Sequence, residues 1–210
     1  MDVENIFGIQ LEFPVYHVAD VQINHMAKNR RRGKRHMDPR MSALAEIEKE
    51  GLRQKKIFYS AIAIVLWDDC GEKEPAIRKF FEINEEVRQE CAGDNMKSMV
   101  QICEEETEIE IQNGNGKSWH DMIFLNAELD TGKMTGAKVI YMRQQQINWM
   151  APLTMACLLV TLHRRYGFDA ERCARVYEQI NNVKEQYGSD PDRLRDGCME
   201  LTGIDVMDVV

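Results

Sequence analysis

A pattern that the chain carries twice limits its fold more than any other feature. "AIAIVLWDDCGEKEPAIRKFFEINEEVRQECAGD" (Ala61–Asp94) lies over "CLLVTLHRRYGFDAERCARVYEQINNVKEQYGSD" (Cys157–Asp190) at a constant offset of 96. Leu66 falls on Leu162, Gly71 on Gly167, Phe81 on Tyr177, Glu82 on Glu178, Val87 on Val183 and Asp94 on Asp190. With the offset reduced to 95, "MVQICEEETEIEI" falls on "LRDGCMELTGIDV", which matches Cys103 with Cys198, Glu105 with Glu200, Thr107 with Thr202 and Ile109 with Ile204. A match running through three elements reads as an internal duplication. The alternative is a pair of unrelated amphipathic hairpins.

Both copies prescribe the same local physics. A mostly apolar helix ends at a glycine, the residue that adopts a left-handed cap at least cost. An amphipathic helix follows. Its apolar stripe is Cys173, Val176, Tyr177, Ile180, Val183 and Tyr187 in the second copy, and Ile77, Phe80, Phe81, Val87 and Cys91 in the first, where Asn84 interrupts. A third, shorter helix comes next. In the second copy Asp190 or Ser189 can cap it, Pro191 suits its first turn and Gly203 can end it. Glu108 stands where Gly203 does, so the first copy is expected to end differently. Each copy closes on a short tail, "IEI" or "IDV".

A helix also leads into each copy. Asp38-Pro39 is a start signal before "RMSALAEIEKEGLRQKK", with Gly51 a weak point, and Ala137–Met150 precedes the second copy, where Pro152 is expected to kink or restart the helix. The expected architecture is all-α. It comprises an N-terminal extension (1–37), a first three-helix unit (38–111), a linker region (112–136) that includes "QNGNGK", and a second unit (137–210). Ser118 with Asp121 offers a capping box in the linker region. Phe7, Ile9, Leu11, Phe13 and Val15 alternate like a strand, which Pro14 demotes to an edge or a loose segment. Met26-Ala27-Lys28 reads as a plausible translation start. The longest apolar stretches, Ile57–Trp67 and Trp149–Leu162, are shorter than the ~20 residues a membrane span needs, so they read as buried core helices. No basic-then-apolar secretory leader is visible.

Charge is unevenly placed. "AKNRRRGKRHMDPR" (Ala27–Arg40) holds seven Lys and Arg against Asp38, a net of plus six. The whole chain is at −8, so the remainder sums to −14. Arg30, Arg31, Arg32, Lys34 and Arg35 form a candidate phosphate-binding arm for DNA or RNA, because Arg suits bidentate phosphate contact and counterion release adds affinity. The bland reading is a solubilising tail. An acidic body could also engage a basic groove on another protein, so arm and body together suit a nucleoprotein partner.

Catalytic and metal signals are weak. The six cysteines form no Cys-x-x-Cys pair and read as reduced core thiols of a cytosolic protein. The five histidines lack metal spacing. "NGNGKSWHD" lacks phosphate-loop spacing. "EEETEIE" (Glu104–Glu110) reads as a solvated helix end, though a magnesium site of a nuclease is conceivable there. The expectation is a non-enzyme without cofactor, metal or membrane span.

The stretch "LHRRYGFDAERCARVYEQI…LTGIDV" (Leu162–Val206) resembles uncharacterised helical proteins of Firmicutes phages and prophages, on Leu162, His163, Tyr166, Gly167, Phe168, Arg172, Arg175 and Tyr177. That resemblance implies an accessory protein acting in the cytoplasm of a bacterial host. Such proteins include anti-CRISPR inhibitors of Cas9-type nucleases, so the expected partner is a host nuclease or another nucleoprotein. The alternative is a DNA-binding regulator that contacts its target through the basic arm.

Overall fold

The computed structural model describes residues 39–93, 99–113, 116 and 136–209. The alternating segment at 7–15, the capping box at 118–121 and the arm residues Arg30, Arg31, Arg32, Lys34 and Arg35 lie outside them. Six α-helices and a closing 3-10 turn make up the described chain, with no strand among the described residues. They are α1 (Pro39–Asp68), α2 (Glu74–Gly93), α3 (Met99–Thr107), α4 (Gly136–Tyr166), α5 (Ala170–Gln186) and α6 (Pro191–Thr202), followed by the turn Val206–Asp208. The fold is all-α, as the sequence pattern requires.

The two apolar stretches decide the layout. Every residue from 57 to 66 is buried, and so is every residue from 155 to 162. A helix buried on all sides must be central. α1 and α4 therefore lie side by side at the hub and run the same way. Arg143 near the start of α4 pairs with Glu46 near the start of α1 at 2.7 Å, and Leu66 and Leu162 near the two far ends line one cavity. The amphipathic helices surround this pair. The stripes Ile77, Phe80, Phe81, Val87 and Cys91, and Cys173, Val176 and Ile180, are buried. Tyr177, Val183 and Tyr187 are partly buried against the same core.

Packing crosses between the sequence units. α6, the third helix of the second unit, packs mainly on α1, the first helix of the first unit. α3 packs mainly on α4. Lys56 reaches Asp192 at 2.7 Å, and the Lys184 ammonium sits 4.3 Å above the Phe58 ring. One hydrophobic cluster runs through all six helices.

Local endings agree closely between the units. Gly71 (φ 67) and Gly167 (φ 66) both take the left-handed conformation. The next residue then donates back to the helix: Glu72 N to the Leu66 carbonyl at 2.9 Å, Phe168 N to the Leu162 carbonyl at 3.2 Å. This is the Schellman arrangement, which satisfies otherwise orphaned carbonyls. In α3 and α6 a buried threonine bonds back one turn, Thr107 to the Cys103 carbonyl and Thr202 to the Cys198 carbonyl, both at 2.7 Å. The Asp190 side chain caps α6 by accepting from the Asp192 and Arg193 amides.

Two expectations are corrected. The first unit does not end differently: Glu108 adopts φ 59 where Gly203 adopts 75, so a non-glycine residue bears the left-handed strain and the backbone exit is kept. Pro152 does not restart its helix: α4 runs unbroken through it, because the residue is buried among packed neighbours and tertiary contacts outweigh local propensity.

Candidate functional site

The C-terminal ends of α1 and α4 meet and leave a cleft of about 350 Å³ between them. Its floor comes from both helices and their followers: Leu66, Leu162, Phe80 and Val176. The Schellman caps fix the chain at each helix end, and of the residues flanking the two glycines Asp69, Cys70, Glu72, Tyr166 and Phe168 line the cleft, with Asp68, Arg164 and Arg165 just outside it.

The rim of the cleft is chemically lopsided. Around Gly71 the chain reads Asp68, Asp69, Cys70 and Glu72, all exposed. Around Gly167 it reads Arg164, Arg165, Tyr166 and Phe168. A helix C-terminus carries partial negative charge, so cations there are favoured and carboxylates opposed. Arg164 and Arg165 follow the rule and are also paired. Arg164 forms a two-pronged bridge to Glu106 at 2.6 and 2.8 Å, which holds the Glu106 carboxyl below its usual range against the opposing effect of partial burial. Arg165 bonds Glu90. His163 donates from Nδ1 to the Phe168 carbonyl at 2.8 Å. By contrast, Asp68, Asp69 and Glu72 make no ion pair with any described residue, and α1 has no basic residue in its last turn.

On the second unit's side the central carbon of the Arg172 guanidinium sits over the Phe168 ring, 3.8 Å from its centre. Phe168 is buried beneath it. Tyr166 is 38 % exposed and tilts against Phe80 with ring centres 5.6 Å apart. Arg175, also on the rim, is tied to Glu171. Cys70 lies between the two sets: burial, Asp69 and Glu72 push its thiol up while Arg172 pulls it down.

A second polar group sits deep in the core. Asn84 is buried. Its Nδ2 donates to the Tyr59 hydroxyl at 2.9 Å. Its Oδ1 lies 3.0 Å from the Thr161 hydroxyl and 3.3 Å from the Cys157 thiol. Burial pushes the Cys157 and Cys103 thiols up to about 12 and Cys173 up to about 11, so none is a ready nucleophile. This group ties α1, α2 and α4 together rather than forming a reactive centre.

The acidic run Glu104–Glu110 is dispersed. Glu106 bridges to Arg164, Glu105 accepts from Gln101, and Glu108 turns the chain. No group of three or more potential metal ligands occurs among the described residues. No helix among the described residues is long and apolar enough to cross a membrane. The sequence reading missed the cleft, although its trace was in the aligned strings: "DDCGE" lies over "RRYGF". Compared with known proteins, the chain matches no family model, no curated sequence and no solved structure.

Proposed function

We propose that this protein is a non-enzymatic binding protein, a phage-derived accessory protein that docks on a nucleoprotein, with a host Cas9-type nuclease as the candidate target. The observation that carries this reading is the exposed pair Asp68–Asp69, set against the helix dipole and without an ion pair among the described residues. Carboxylates held in that position weaken the free protein and gain their return from an external cation. A groove built to hold nucleic acid offers such cations. The phage-like segment Leu162–Val206 supports the accessory role, and the buried, raised thiols support binding over covalent chemistry. A purified sample is expected to reduce target cleavage by guide-loaded Cas9, and Asp68→Asn with Asp69→Asn is expected to weaken inhibition about tenfold. Normal cutting by several type II nucleases at large excess of the protein ends this reading.

We also read the two units as copies of one ancestral unit. The matched left-handed exits and the paired Cys–Thr turns support that descent. The basic arm remains a proposed phosphate contact. Replacing Arg30, Arg31, Arg32, Lys34 and Arg35 by Ala is expected to lower the salt slope of nucleoprotein binding by up to ~0.9 per lost phosphate contact. An unchanged slope marks the arm as a solubilising tail. Steep salt-dependent binding to free duplex DNA favours the regulator reading instead.

A further inference from the structure

We propose that the cleft between the ends of α1 and α4 binds a small zwitterion with an apolar body, the class of a free amino acid with a large side chain. Three features converge on this chemistry. The first is size: at about 350 Å³ the cleft falls within the range of small-molecule sites. The second is a floor of Leu66, Leu162, Phe80 and Val176, which suits an aromatic or branched aliphatic group. The third is opposite charge on the two rims. Glu72 and Asp69 stand on one side without an ion pair among the described residues, and Arg172 stands on the other.

Arg172 is prepared for a carboxylate. Contact with the Phe168 ring holds the guanidinium at the cleft, and its N–H groups suit two parallel hydrogen bonds to a carboxylate. Arg175 is already engaged by Glu171, so Arg172 is the rim cation left for a ligand. Glu72 is held in place through its backbone, whose amide bonds the Leu66 carbonyl, while its side chain remains exposed to receive an ammonium group. Glu72, Cys70 and Arg172 line the same cleft, and Glu72 and Arg172 form no salt bridge with each other. A molecule carrying both charges spans that gap. A simple anion is repelled by the carboxylate rim, and a simple cation by the arginine. The cleft shares Asp69 with the proposed docking pair, but its ligand contacts are assigned to Glu72 and Arg172 and its test involves no nuclease, so either reading can fail alone.

Cys70 supplies a reporter. All six cysteines lie among the described residues, and Cys70 is the exposed one. The experiment follows the rate at which iodoacetamide alkylates Cys70 in the full-length protein, with amide chemical shifts of Tyr166 and Phe168 read in parallel. The probes are L-phenylalanine, its amide, which lacks the carboxylate, and its N-acetyl form, which lacks the ammonium. L-phenylalanine is expected to slow alkylation with roughly millimolar affinity. Loss of either charged group, or Arg172→Gln, or Glu72→Gln, is expected to weaken protection roughly tenfold, as for a charged hydrogen bond. Both side chains are exposed, so circular dichroism checks that the variants keep the fold. No protection and no local shift at about ten millimolar, equal protection by all three probes, or unchanged binding by Arg172→Gln each overturns the proposal.

Discussion

The two helix ends that form the cleft have nearly the same backbone and opposite chemistry. At the end of α1 the chain reads Asp-Asp-Cys-Gly-Glu; at the end of α4 it reads Arg-Arg-Tyr-Gly-Phe. Both glycines sit within a degree of each other in φ, and both following amides reach back to a leucine carbonyl. Phe168 completes the motif by burying its ring, whereas Glu72, in the same place, stays in solvent. The comparison teaches that glycine and the leucine carbonyl set the frame, while the flanking side chains are free to be spent on stability or on binding. The second unit invests in stability through Arg164–Glu106, Arg165–Glu90 and a buried Phe168. The first leaves its charges open.

The largest expected break in this parallel lies where the core chemistry differs. Asn84 aligns with Ile180, and both are buried. Replacing Asn84 by Ile deprives the Tyr59 hydroxyl of the Asn84 amide donor and forces a branched side chain into a polar slot. A loss of about 2–4 kcal/mol is expected in urea unfolding. Ile180→Val, which removes one methyl from the matching place, is expected to lose only about 1 kcal/mol. Equal losses would show that the polar group contributes nothing distinctive.

A second asymmetry concerns volume. Gly197 faces the Tyr187 ring so closely that an added Cβ would come within 2.5 Å of Cε1. The aligned positions in the first unit are Ile102 and Cys91, a large residue with a small one in place of a small one with a large one. Gly197→Ala is expected to cost about 1–3 kcal/mol by overpacking, and Gly197→Ala with Tyr187→Cys is expected to recover part of that cost. Additive losses would mean that the two residues are not a complementary pair.

The left-handed exits give a smaller and more symmetrical test. Nothing lies within 4 Å of a Cβ placed on Gly71 or Gly167, so Ala there acts through the backbone alone. Each change is expected to cost about 1 kcal/mol, nearly the same in both units. Glu108→Gly should run the other way and stabilise the fold by a few tenths to about 1 kcal/mol, because it relieves the strain of φ 59. A thermal melt resolves either sign.

The weakest effect is pH dependence. The Arg195 side chain beside Asp205 holds its carboxyl down to about 2, and Arg164 holds Glu106 below its usual range. A lowered folded value means that the stabilisation is present above the usual carboxylate range and fades as pH falls through the folded one. The Arg164–Glu106 bridge is partly solvent-exposed, so it is worth no more than about 1 kcal/mol after screening. The stability of Glu106→Gln is expected to respond less to acidification between pH 5 and 2 than that of the parent, by roughly that amount. Parallel curves for the two proteins would remove the bridge from the account.

Features governed by neighbours in sequence were legible beforehand. Gly71 and Gly167 announced their helix ends, Asp190-Pro191 announced the start of α6, and the unbroken apolar runs announced a central pair of helices. What could not be read was set by distant partners. Asn84 looked like a flaw in an apolar stripe because Cys157 and Thr161 lie 73 and 77 residues away. Glu106 looked solvated because Arg164 is 58 residues away. Glu108 looked like a different ending because its left-handed backbone is held by the surrounding fold against its own preference. The cleft was hidden for a related reason: no single segment contains it, and it forms only when two separated helix ends are brought together.

The crossed packing has a consequence for the order in which the protein can be made. α1 leaves the ribosome well before its main outer cover, α6; the Lys56–Asp192 contact spans 136 residues. Until α6 arrives, the apolar surface it will cover lacks that protection, so the nascent chain has no finished N-terminal half to set aside. A ribosome that stalls before Pro191 releases a product whose damage appears at the opposite end of the sequence, on Ile57–Leu66. The covering of α1 therefore waits on the dozen residues of α6, more than a hundred positions further along the chain.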